Sequence, residues 1–139
     1  MEKFKGTNFK GKVVTCHKDF VPFLVLLNDK LAELGLNIFI TSSLRNSTNV
    51  KGASVTPAKM SNHLVGHAID FNLIDGSEWW NSKRLANPTG KVKEFIDYID
   101  EIGLRWGGFF RKPDVIHIDY AINLKHPDKY KRILEQTIK

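Results

Sequence analysis

The sequence predicts a mixed helix–strand domain whose element order is compatible with an α+β fold. Apolar residues recur at helical spacing twice, first at Phe20, Leu24, Leu27, Leu31 and Leu34, then at Val92, Phe95, Ile96, Ile99 and Ile102. Each set is the stripe of a helix with one buried face. Around these stripes lie short apolar runs at 37–42, 68–74 and 115–122, with the composition of strands. Taken in order, the chain reads helix, strand, loop, strand, helix, strand.

The 139 residues fit a single domain over 1–139, long enough for a hydrophobic core. An apolar fraction of 42% and a charged fraction of 26% exclude a disordered chain. No apolar run approaches the roughly 20 residues needed to cross a bilayer. The start, Met1-Glu2-Lys3-Phe4-Lys5-Gly6, lacks the apolar region of a secretory signal, so synthesis in the cytoplasm without a signal peptide is expected. Cys16 is alone, which excludes an intrachain disulfide. Although His17 follows it, a structural or incidental role is the expectation, since a free cysteine usually behaves as a small hydrophobe. The net charge of +6 attracts polyanions, and the lysines gather at the two ends, such as Lys3, Lys5, Lys10, Lys125, Lys129 and Lys131. Ordinary solvated faces and substrate attraction both explain them.

Residues 1–15 have no clear period, though Phe4, Phe9, Val13 and Val14 can lay an arm or short strand on the body. The first helix is expected to begin at Asp19 as N-cap, with Pro22 in its first turn and Gly35 as its stop. A strand at 37–42 then feeds Ser43-Leu44-Arg45 and a long loop rich in Asn, Ser, Thr and Gly up to Asn62. Loops of that length are often binding loops or disordered segments. In the run 68–74, Ala68, Asp70 and Asn72 share one face, and His67, Ile69, Phe71 and Leu73 share the other. Asp75-Gly76 marks a turn, and Glu78-Trp79-Trp80 reads as a short helix or a substrate-facing wall, with packing the more usual role of two adjacent tryptophans. The second helix starts near Lys91 and stops at Gly103. Gly107-Gly108 and Pro113 signal turns before a strand at 115–122, and a terminal helix carries Tyr130, Ile133, Leu134 and Ile138. His126-Pro127 reads as the start of that helix.

The chemistry concentrates in two places. His63 and Asp70 stand seven apart with Gly66 between them to permit a local turn. Downstream, Asp114 precedes His117 by three. His63, Asp70 and His117 are suitable ligands for a catalytic zinc, which takes three protein groups and leaves one position for water. A carboxylate beside that water, Asp114, is the base a metal-assisted hydrolase needs. Asp70 inside an apolar strand requires a partner. His67 alternates away from Asp70 and reads as a lining or core histidine. Asp119 shares the face of His117, where it either orients a ligand or meets solvent. Arg45, at a strand end, is placed to grip a carboxylate or to form a surface salt bridge.

The motif Ser61-x-His63-x-x-Gly66-x-Ala68-x-Asp70, followed by Asp114-x-x-His117, resembles the zinc peptidases that include D-alanyl-D-alanine carboxypeptidases and phage L-alanyl-D-glutamate endopeptidases. Thr41-Ser42-Ser43-Leu44-Arg45 and Trp106-Gly107-Gly108 are similar to further segments of that family. The resemblance implies an α+β fold, a small antiparallel sheet carrying the zinc site with helices packed on its other side. It implies zinc held by His63, Asp70 and His117, Asp114 as general base, and Arg45 and Ser61 on the peptide substrate. Asp114, where carboxypeptidases of the family carry glutamate, favours the endopeptidase over the carboxypeptidase. Phe109-Phe110 and Ile116 depart from the usual pattern and bear on substrate choice. The expected substrate is a peptidoglycan stem peptide, cleaved in the cell wall or periplasm after release or injection. Anionic wall polymers are a further expected partner, and a monomer is expected. A zinc-containing binding module without turnover is one rival. A metal-dependent nuclease is the other, and no nucleic-acid motif supports it; neither a nucleic acid nor a membrane is an expected partner.

Overall fold

The computed structural model describes residues 1–45 and 60–137. The loop residues Asn46, Ser47, Thr48, Asn49, Gly52, Ser54 and Pro57, and Ile138 of the expected terminal helix, lie outside them. The order is β1 (Glu2–Phe4), β2 (Phe9–Gly11), β3 (Val14–Cys16), α1 (Val21–Leu34), β4 (Asn37–Ser42), β5 (Ala68–Asp75), β6 (Glu78–Trp80), α2 (Ser82–Leu85), α3 (Gly90–Glu101), β7 (Arg105–Trp106), β8 (His117–Asp119), α4 (Ile122–Lys125) and α5 (Pro127–Thr137). The main sheet runs β2-β4-β5-β8-β7, and β6 extends β5. Every pairing in it is antiparallel except the edge pair β2–β4. The α+β architecture implied by the resemblance is therefore the one observed.

The two faces of this sheet divide the labour. Ile38, Ile40, Ile69, Phe71, Leu73 and Ile118 point to one side, where they are buried with the stripes of the two long helices. Leu24, Leu27 and Leu31 of α1 and Val92, Phe95, Ile96 and Ile99 of α3 are at most 1% exposed. Burying each such side chain contributes roughly 1.5–3 kcal/mol. Asp70, His117 and Asp119 alternate onto the opposite face.

Several boundaries differ from the sequence reading. Asp19 does not cap α1: it lies in a 3-10 turn, Lys18–Phe20, whose cap is the His17 ring, and Phe20 is the N-cap of the helix. Pro22 and Gly35 fall where expected. Residues 78–80 form a strand on β5 and not a short helix, with Trp80 buried as packing predicts and Trp79 49% exposed. The strand expected at 115–122 is only Asp119 and its two predecessors, His117–Asp119. Before it, the His117 N–H donates to the Asp114 carbonyl at 3.1 Å, which curls 114–117 into a turn. After it, the Tyr120 N–H still donates to the His67 carbonyl at 3.0 Å, and Ile122 opens α4. The apolar residues on either side of the short strand pack from turn and helix, Val115 and Ile116 on the main core and Ile122 in a second cluster with Val65, Tyr130 and Ile133. Among the described residues, no helix is long and apolar enough to cross a membrane.

Gly66 is required by both its torsion and its surroundings. Its φ is +71°, and a Cβ there would lie 2.5 Å from the His17 nitrogen. The His17 N–H donates to the Gly66 carbonyl at 3.0 Å, so neither segment can retreat cheaply. Gly66→Ala is therefore expected to destabilise the protein by at least about 1–3 kcal/mol, read as a lower midpoint in urea unfolding.

Candidate metal centre

The site grows from strand register. Antiparallel pairing of β5 with β8 sets Asp70 directly opposite His117 and Ala68 opposite Asp119. Directly paired residues have Cβ atoms about 4.5–5.5 Å apart, so two donors are adjacent by pairing alone. On the other flank, β4 reaches β5 with an irregularity between Ile40 and Ser42, and Ser42 pairs with Asp70. The third donor arrives on a 3-10 turn, Asn62–Val65. Ser61 caps that turn, its Oγ accepting the His63 N–H at 3.2 Å, and Gly66 ends it. The Arg45 N–H donates to the His63 carbonyl at 3.0 Å and fixes the turn against the end of β4.

His63, Asp70 and His117 are each buried, and one donor atom from each lies within 4.8 Å of the others. Asp70 Oδ1 is 3.1 Å from His63 Nε2 and 3.4 Å from His117 Nδ1. The outer nitrogens fix the tautomers. His63 Nδ1 lies 2.7 Å from the Ser43 carbonyl, which only accepts, so Nδ1 carries the proton. His117 Nε2 lies 2.8 Å from Asp119 Oδ2 and donates to it. Each ring thereby turns its other nitrogen toward the Asp70 carboxylate, where it could ligate a cation shared with that carboxylate. Ligand histidines typically donate their other N–H to a carbonyl or carboxylate in this way. The donor set fits zinc, which takes N and O ligands and three protein groups in its catalytic sites.

Asp119 is the orienting group, not a solvent-exposed acid. At 2% exposure, it accepts from Arg105 Nε and Nη2 at 2.8 and 2.7 Å, from Asn62 Nδ2 at 3.0 Å and from His117. Asn62 is held in turn by Asn123, whose backbone N–H donates to Asn62 Oδ1 at 3.2 Å. Asn62, Arg105 and Asn123 are the residues the sequence reading missed. Asn62 stands inside the motif, but Arg105 and Asn123 follow no spacing that connects them to it.

Of the expected substrate residues, Ser61 borders the site and commits its oxygen lone pair to the turn. The Arg45 Nη2 donates to Asp70 Oδ2 at 2.8 Å, so the guanidinium turns toward the site's own carboxylate while 49% of its side chain stays exposed. Asp114 is exposed and lines an open cleft of about 430 Å³ together with His117, Phe110, Ser61 and Arg105. The 114–117 turn carries Asp114 onto the cleft that His117 also lines. Gly107 makes room for it, because a Cβ there would strike the Asp114 carbonyl. His67 is turned away, buried, its Nδ1 donating to the Val65 carbonyl at 2.8 Å. Burial lowers its pKa to about 4, which keeps the ring neutral.

Burial alone would penalise every charge here. It would raise Asp70, but hydrogen bonds with His117 and His63 hold its carboxyl well below the usual range. It would lower His117, but Asp119 and Asp70 outweigh it and raise the imidazole to about 9. It would raise Asp119, but His117 and Arg105 bring it down to about 2.

The fold and the site together define a class: an α+β domain carrying a His, Asp, His donor set on one face of its sheet. The comparisons point the same way. A family model described as D-alanyl-D-alanine carboxypeptidase matches residues 54–120. The crystal structure of Serratia marcescens L-Ala D-Glu endopeptidase ChiX superposes with a TM-score of 0.52 at 22% identity, covering 78% of this chain and 82% of that one. No curated protein matches the sequence. The resemblance drawn from the motifs is thus met by a family model and by a shared fold.

Replacing Asp119 with Asn should lower zinc affinity about 10–100-fold in competition with a chelator, because the partner that orients His117 is weakened. In chelator-stripped protein, the stability from His117 is complete below its ordinary value of 6.5 and is lost as pH rises through about 9. The stability from Asp119 is present above the ordinary value of 3.8 and is lost as pH falls toward about 2. Urea midpoints measured across this range should decline at both ends.

Proposed function

We propose that the chain is one zinc peptidase domain that hydrolyses a peptide bond in peptidoglycan stem peptides, with the L-alanyl-D-glutamate bond favoured. The observation that carries this reading is the meeting of His63, Asp70 and His117 beside a cleft that also holds Asp114. In this reading those three residues hold the metal and Asp114 is the general base. Zinc bound there would acidify water and polarise a carbonyl. Asp114 takes the proton of the attacking water and passes it to the departing amine. Its exposure on the cleft lets it meet both. Among the described residues nothing accepts the Ser61 O–H, which would donate to a peptide carbonyl while the oxygen accepts from the turn. Arg45 holds the carboxylate of Asp70 on one edge and offers its exposed edge to a substrate carboxylate.

The choice of bond rests on Asp114 in place of glutamate, and the same reaction is in the name of the Serratia protein. Action in the wall or periplasm, after release or injection, follows from that substrate. D-alanyl-D-alanine carboxypeptidase activity is the second reading, supported by the description of the family model that matches.

Defined muropeptides incubated with the zinc-loaded protein and resolved by mass spectrometry test both. Cleavage between L-alanine and D-glutamate is expected, and release of terminal D-alanine would move the assignment to the carboxypeptidase. Asp114→Ala should lower the rate about 10²–10⁴-fold with zinc content unchanged. A wild type that binds zinc and cuts nothing would make the chain a binding module of the same fold.

A further inference from the structure

A second group of metal-type donors lies behind the start of β5, away from the site above. His17, Asp19 and His67 each bring one donor atom within 4.8 Å of the others. They come from two separate local structures: His17 and Asp19 from one 3-10 turn and its cap, and His67 from the residue before β5.

Hydrogen bonding decides which nitrogens are available. His67 is 2% exposed, and its Nδ1 donates to the Val65 carbonyl, so Nε2 is left as a lone pair. Its ring stacks on His17 with centroids 5.1 Å apart. His17 Nδ1 accepts the Asp19 N–H at 3.1 Å, so it too is a lone pair, 3.6 Å from Asp19 Oδ2. Two imidazole lone pairs and a carboxylate suit a late first-row divalent ion. Asp19 and His67 also line an open cavity of about 380 Å³ that would admit the ion and its waters. A cation already shares this position: the Lys129 ammonium from α5 lies 2.6 Å from Asp19 Oδ2.

We propose that His17, Asp19 and His67 form a second site for a late first-row divalent cation, separate from the His63, Asp70 and His117 centre and in competition with the Lys129 ammonium. On binding, the ion replaces Lys129 at Asp19 and takes the His17 lone pair from the turn. The second site is therefore the weaker of the two. It frees Lys129, and with it one tie between the terminal helix and the amino-terminal segment.

The test is a zinc titration of the chelator-stripped full chain by calorimetry, with elemental analysis of the bound metal. The wild type should bind a tight and a weaker equivalent. His67→Ala and Asp19→Asn should each lose only the weaker one; Asp19→Asn is the milder variant, because that side chain is partly exposed. Lys129→Met should tighten the weaker site by about tenfold or more, the order that removal of a like charge a few ångströms away carries near a surface. His63→Ala should lose only the tight equivalent. A wild type that binds a single equivalent, or a weaker equivalent that survives in both His67→Ala and Asp19→Asn, would overturn the second site. Loss of the weaker equivalent alone in those variants, with no effect of His63→Ala on the tight one, would uphold it while removing the first centre.

Discussion

The pairing of β5 with β8 is the constraint on which the rest of the molecule depends. Because side chains alternate with a period of two, sliding one strand by one residue would send Asp70 or His117 into the apolar core. It would also push Ile69 or Ile118 into the cleft. The register is therefore defended from the far side of the sheet by Ile69, Phe71 and Ile118, all fully buried. The helices α1 and α3, which carry none of the donors themselves, hold the donor face in place by making every other register costly.

Charge balance is the second requirement. Two buried carboxylates, Asp70 and Asp119, stand on one face, and isolated buried charges are strongly disfavoured. Each is met by a guanidinium and at least one imidazole: Arg45, His63 and His117 for Asp70, and Arg105 and His117 for Asp119. His117 bridges the two acids, which is why its proton affinity rises despite burial. The same chain of contacts orients the ring, since the nitrogen given to Asp119 leaves the other facing Asp70. Stability and ligand geometry here rest on the same hydrogen bonds.

Separation of the two histidine groups follows from the same strand. His63 and His67 flank the Gly66 turn, and the turn sends one ring to Asp70 and the other to His17. Position in sequence says only that both are close to Asp70. The direction of each ring is decided by its carbonyl acceptor, Ser43 for His63 and Val65 for His67.

The two helical stripes, the alternation around Asp70 and the donor types at 63, 70, 114 and 117 were legible in the residues themselves, because periodicity and side-chain chemistry are local properties. The resemblance added the sheet arrangement, and the observed fold agrees with it. Local signals misled where apolar residues packed on the core from turns, as at Val115 and Ile116, and where a side chain capped a turn in place of a helix, as at His17. Tertiary structure alone decided that Asp119 is buried, that Arg105, Asn62 and Asn123 hold it, and that Arg45 turns toward Asp70. Each of those contacts joins elements distant in sequence; Asn62 and Asn123, for example, stand 61 positions apart. No periodicity records such a contact, because it exists only once sheet register and turn geometry have brought the partners together.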